Sequence, residues 1–318
     1  MRRGRGRLGL GLLLLGLWTA PAVAEPRVVV TIKPVHALVA QIMAGVGSPT
    51  LLVNGLASPH TYALRPSEAR ALNAADVFVR MSDTVEPFTV RILRSLPPTV
   101  MVVTLQEAPR LKLLKRRDLL PAFERHVHDR AGHGHRHTHR AGPGDAIDGH
   151  AWLDPDNAII MVDRIAEALS SRYPDHGASF AANAAMLRSR LEALGAELDH
   201  ELKPIAGRPY IIFHDATQYL ERRYGLNVVG SISVSPEIPA SGKRLTELRR
   251  KIAELGAVCV FAEPQFDRRL VDNLIEGTRA RSGTLDPEGG RLEPGPGLYF
   301  ALMRQLAGDL KSCLASPA

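Results

Sequence analysis

Cysteine is scarce: the chain has two in 318 residues, Cys259 and Cys313. A pair so far apart in sequence makes a poor metal site and reads as a disulfide if the protein folds in an oxidising compartment. Long apolar runs are equally scarce. The strongest, from Leu8 to Leu17, falls well short of the ~20 residues needed to cross a bilayer. No cysteine follows it closely, which argues against a lipid anchor at a processed N-terminus. No HExxH spacing or similar hydrolytic signature is present, no adhesive repeat marks surface attachment, and no basic cluster falls in a recognisable nucleic-acid module.

The ends set the compartment. Arg2, Arg3, Arg5 and Arg7 form a basic leader before the apolar run, and Ala22-Val23-Ala24 supplies the small residues a signal peptidase reads. Residues 1–24 are therefore expected to be a secretory signal peptide, cleaved near Ala24. Its removal leaves 294 residues, enough for two domains, and takes four arginines, so the formal charge falls from +7 to +3. The mature chain reads as exported and not membrane-inserted. In an oxidising compartment a Cys259–Cys313 bridge would clip the C-terminal helix to a core strand.

From Val28 onward, short β-branched runs alternate with helical stretches. VVVTI (28–32), TLLVN (50–54), VFVRM (77–81) and VMVVTL (100–105) form one series; YIIF (210–213), VVGSIS (228–233), CVFAE (259–263) and GTLD (283–286) form another. Continuous apolar strands separated by helices predict parallel sheets covered on both faces. Asp154-Pro155 opens a helix with Asp154 as N-cap, running to about Tyr173 before Pro174. A second long helix is expected from about Asp175 to Leu202, and helices should stop at Gly225 and Gly256. The predicted fold is α/β: two parallel-sheet lobes joined by one long linker helix. The expected division is an N-terminal lobe over 25–173, including a His-rich loop at 123–149, a linker over 174–204 and a C-terminal lobe over 205–318.

Four residues share a position at strand exits or in the loops beside them: His60 in SPHTYALRPS, His150 in DGHAWLDP, His214 after YIIF and Asp286 after GTL. Ligands of open parallel sheets bind at the carboxyl ends of the strands, so an interlobe cleft could collect all four. Three imidazoles and a carboxylate suit a four-coordinate Zn²⁺. Spacing alone does not prove that they converge. Glu263, at the end of CVFAE, either orients a ligand histidine or acts as an N-cap or buried acceptor. His36 reads as a packed structural residue; His176 and His200 read as solvated.

Several blocks in order, PHTYALRPSEARALNAADVFV, DGHAWLDPDNA, FHDATQYLERRYGL, SVSPEIPASGKRL, AEPQF and GTLDP, resemble the ZnuA-like periplasmic metal-binding proteins of ABC importers over nearly all of residues 26–318. The resemblance implies a periplasmic monomer that grips zinc between two lobes and delivers it to an inner-membrane ABC zinc permease, without enzymatic activity. The family's histidine ligands fall on His60, His150 and His214. A histidine rather than a carboxylate at 214 favours zinc over the manganese or iron importer reading. Asp286 matches a carboxylate that ligates in some relatives, where water or another acid serves in others. Pro59 rules out an acidic ligand before His60. A zinc hydrolase is the weaker alternative, with Glu263 as its one candidate base.

His126, His128, His133, His135, His137 and His139 stand in a Gly/Arg-rich run without hydrophobic period. Their alternation suits weak chelation by interchangeable pairs, and ordering such a run is costly. The resemblance implies an auxiliary metal-capturing loop. A solvated linker that binds zinc adventitiously is the other reading, favoured by arginines that repel a dication.

Overall fold

The computed structural model describes residues 25–117, 146–233 and 241–315. The expected leader and the six-histidine run from His126 to His139 lie outside the described residues. Strands β1 (Val28–Val30), β2 (Thr50–Leu51), β3 (Val77–Arg80) and β4 (Met101–Thr104) form a sheet ordered β2-β1-β3-β4. Strands β5 (Pro209–His214), β6 (Asn227–Ser233), β7 (Cys259–Ala262) and β8 (Arg281–Thr284) repeat that order as β6-β5-β7-β8. Every pairing within both sheets is parallel. The inner strands β1, β3 and β7 are buried at every residue, as two-sided coverage by helices requires. The expected strand at 50–54 shrinks to two residues, since β2 is a sheet edge with a partner on one side only.

Prolines open the helices of the first half: α1 (Lys33–Ile42), α2 (Pro66–Asn73), α3 (Pro87–Leu93) and α4 (Pro155–Arg172) each carry one at their first or second position. A proline there loses no helical hydrogen bond. Asp154 caps α4 as expected, accepting from the Asp156 amide at 3.0 Å. The long helix α5 spans Gly177–Leu202, and the predicted start at Asp175 falls in a separate 3₁₀ turn, Pro174–His176. Pro174 lacks the amide that a continuous helix would need. Helices α6 (Gln218–Tyr224) and α7 (Gly242–Leu255) stop where expected, at Gly225 and Gly256, whose φ of 66° and 62° is left-handed. The short α8 (Arg269–Ile275) and the C-terminal α9 (Leu298–Leu314) complete the chain.

Helix α5 is about 39 Å long at ~1.5 Å per residue. It lies against α1 and α4 of the first half and α9 of the second. Its buried residues Leu187, Leu191, Leu194, Leu198 and Leu202 belong to one core that also holds Val30, Val79, Tyr210, Phe261 and Leu306. That core runs through both lobes, and each sheet has a smaller apolar cluster on its far face. Polar ties cross the same boundary. The Lys33 ammonium donates to the carbonyls of Gly290 at 2.7 Å and Leu292 at 2.9 Å, and the Trp152 indole donates to Pro287 O at 3.1 Å.

Cys259, at the start of β7, is joined to Cys313 in the last turn of α9 by a disulfide across 54 residues. Closing a loop of this length in the unfolded chain stabilises the native state by about 4 kcal/mol. Cys313→Ser should therefore lower the unfolding free energy by roughly that amount in urea titrations; an unchanged midpoint would contradict a structural role for the bridge.

Candidate metal centre

Each histidine reaches the cleft on a different piece of backbone. His60 sits in a 3₁₀ turn, Pro59–Thr61, that follows β2. His150 precedes another, Ala151–Leu153, that leads into α4. His214 is the last residue of β5, the inner strand from which the second sheet winds in both directions. The Nε2 atoms of His60 and His150 stand 3.2 Å apart, and those of His150 and His214 stand 3.5 Å apart. The ligand-capable atoms of all three lie within 4.8 Å of one another, and among the described residues no carboxylate joins them as a ligand group. Metal–nitrogen bonds of ~2.0–2.1 Å in a tetrahedron have edges of ~3.3 Å, so the spacing suits one ion.

The opposite ring nitrogens explain why these edges face inward. His150 Nδ1 is 2.7 Å from Asp148 Oδ1, His214 Nδ1 is 2.5 Å from Glu263 Oε1, and His60 Nδ1 is 3.2 Å from the Thr84 carbonyl. Acceptors on all three Nδ1 positions fix the tautomer with Nε2 bare, the form that binds a metal. The buried Glu263 carboxylate also accepts the His214 amide at 3.2 Å. Asp148 and Thr84 were not singled out from the sequence. The acid two residues before His150 was a readable signal; a backbone carbonyl leaves none.

Gly149 is the third residue the sequence reading missed. A Cβ there would lie 2.5 Å from Ser82 Oγ and 2.6 Å from both Thr84 Oγ1 and Val85 Cγ2. Only glycine lets the His150 backbone lie against the loop that supplies the Thr84 carbonyl. That loop is itself pinned by the buried Glu86, which accepts from the Ser82 amide at 2.7 Å and the Met81 amide at 3.0 Å, and from the Thr31 hydroxyl.

Asp286 lies apart from the three-histidine group. Its Oδ1 accepts from Gln265 Nε2 at 2.9 Å and from the Glu288 amide at 3.2 Å. His36 has the structural setting expected, with Nε2 3.1 Å from Pro49 O. The cleft is lined by His60, Thr84, Arg116, Arg117, Ile147, Asp148, Gly149, His150, His214, Asp215 and Gln218.

A profile of the ZnuA family, described as the periplasmic component A of the zinc-uptake complex, matches residues 28–313. The chain belongs to this family. Among its ZnuA relatives, the high-affinity zinc uptake system protein of Brucella suis biovar 1 (strain 1330) is 42% identical over 306 residues, 91% of each chain. The structure of a ZnuA deletion mutant with zinc bound matches with a TM-score of 0.74 at 22% identity, covering 92% of this chain and 98% of that one. FpvC from Pseudomonas aeruginosa, in complex with Mn²⁺, matches with a TM-score of 0.76 at 20% identity, covering 92% and 99%. These two likenesses show the fold alone, and one protein holds zinc while the other holds manganese.

Electrostatics separates the three rings. Burial, and then the like charge of the other rings, holds His60 and His150 well below the ordinary imidazole range. Burial also works against charge on His214, but the adjoining Glu263 carboxylate outweighs it and raises that pKa above 6.5. The first proton to compete with a metal therefore goes to His214. As pH falls through and below the His214 pKa, zinc must displace one proton, so its affinity should drop about tenfold per pH unit. Titration against a chelator from pH 8 to 5 reads this slope; a flat affinity would contradict imidazole ligation.

Proposed function

We propose that this protein captures Zn²⁺ in the periplasm and delivers it to an ABC-type inner-membrane zinc permease, as its family membership and its site chemistry both favour. The observation that carries the reading is the trio of imidazoles whose ligand atoms lie within 4.8 Å of one another, two of the Nε2 separations being 3.2 and 3.5 Å, with each ring held from behind by an acceptor of its own lobe. Three neutral nitrogen donors suit zinc, whereas manganese is better served by carboxylates. His60, His150 and His214 are the proposed ligands. The fourth position falls to water or to an acid, with Asp286 able to serve only if it moves toward the three histidines, which it does not join here.

The same reading assigns residues 1–24 to a cleaved leader, 25–173 and 205–318 to the lobes, and 174–204 to the linker. His126 to His139 would be an auxiliary collector around weaker, interchangeable sites. Two ligands belong to the first lobe and one to the second, so capture draws His214 toward the His60–His150 pair and release separates them. The long linker helix favours a small motion over a wide hinge, with the permease acting on the His214 side. A hydrolytic role is disfavoured because Glu263, the candidate base, is engaged by His214 Nδ1.

Replacing any one of His60, His150 or His214 with Ala should weaken zinc binding by more than the ~10–100-fold typical of losing an orienting partner. Chelator competition on the full chain measures this, and wild-type affinity in all three variants would overturn the assignment.

A further inference from the structure

Cations stand at the open side of a site built for a cation. Arg116 and Arg117 both line the cleft beside the three imidazoles. Arg117 is fully engaged: it holds Asp215 at 2.6 Å and Glu221 at 2.5 Å. Arg116 is different. Its side chain is exposed and has no ion pair or side-chain hydrogen bond among the described residues. Its backbone is nonetheless fixed, since the Arg116 amide donates to Ala146 O at 2.8 Å and the Asp148 amide donates to Leu114 O at 2.9 Å. Its charge is felt at His60, His150 and Asp148.

Three neutral imidazoles leave the full +2 charge on a bound zinc ion, and a guanidinium beside it would weaken binding unless an anion lay between them. Among the described residues, the carboxylates beside the three rings already hold other groups: Asp148 holds His150 through Oδ1, Glu263 holds His214 and Asp215 holds Arg117. The cleft has a volume of about 40 Å³, room for an ion and two or three water-sized groups at ~10–15 Å³ each.

Building on the zinc-binding reading above, we propose that the site takes zinc together with a small exogenous carboxylate-type anion, such as formate or bicarbonate, bridging the metal and Arg116. One oxygen of the anion fills the fourth coordination position. A second oxygen accepts from the Arg116 guanidinium, a planar donor suited to carboxylates. The arginine thereby becomes a positioning residue for the anion, and the anion lowers the net charge of the captured complex.

Binding linkage makes this testable, because an anion that binds only the metal-loaded site must strengthen metal binding by the same factor. Zinc affinity of the metal-free full chain is measured by chelator competition at constant free zinc and ionic strength, with perchlorate replaced stepwise by formate. Formate should raise the wild-type affinity several-fold to about tenfold and leave Arg116→Gln unchanged. Circular dichroism and thermal melts of the variant check its fold. Tight zinc binding that ignores formate in the wild type, or a formate effect retained in Arg116→Gln, overturns the anion proposal and leaves the zinc site standing. Absence of zinc binding in every buffer removes the zinc reading itself, and this proposal with it.

Discussion

The centre depends on one constraint: each imidazole is held through its Nδ1 atom by an acceptor on the same lobe. Without those acceptors a histidine in a cleft can present either nitrogen in several rotamers. With them, Asp148, Glu263 and the Thr84 carbonyl fix three Nε2 atoms around one point. The surrounding structure then serves to hold the acceptors. Glu86 pins the loop that carries Thr84, and the bare backbone of Gly149 lets that loop and the His150 segment touch. Tyr219 donates to the Asp148 carbonyl at 2.7 Å, fixing the same segment from the second lobe.

The lobes are held as firmly as the ligands. A single core passes from the first sheet through α5 to the second, and buried apolar surface of this kind does not shear without loss of packing. Lys33, Trp152 and Arg117 add hydrogen bonds across the boundary on different sides of the cleft. Release by a wide opening would break these together. A local displacement of His214, the last residue of its strand, would leave the Lys33 and Trp152 bonds in place. The two sheets share one strand order, and in the second the inner strands β5 and β7 deliver His214 and Glu263 at the carboxyl edge where ligands of such sheets bind.

Much of this was legible in the sequence. The β-branched runs at 28–30, 77–80 and 259–262 became buried parallel strands because nothing in them is polar enough to face water, save Arg80, whose guanidinium reaches Asp83. Asp154-Pro155, Gly225 and Gly256 marked helix ends through local backbone chemistry, which depends little on tertiary context. The cysteine pairing followed from compartment and count. The three histidines could be placed together only through family resemblance, since no spacing rule links positions 60, 150 and 214. Residues acting through backbone escaped: the Thr84 carbonyl has no side-chain signature, and the need for Gly149 arises from a loop far away in sequence. Asp286 shows the converse, a carboxylate in the expected strand-exit position whose partners in this structure are Gln265 and the Glu288 amide.

The conspicuous histidines at 126–139 and the three buried in the cleft make different demands on a metal. Zinc K-edge X-ray absorption on the full chain loaded with one equivalent of zinc distinguishes them most directly. The account predicts three imidazole nitrogens at ~2.0–2.1 Å with one light donor, and the same spectrum after deletion of residues 123–147. A first-equivalent spectrum with fewer than three imidazoles, or one that changes on that deletion, would contradict the cleft as the primary site.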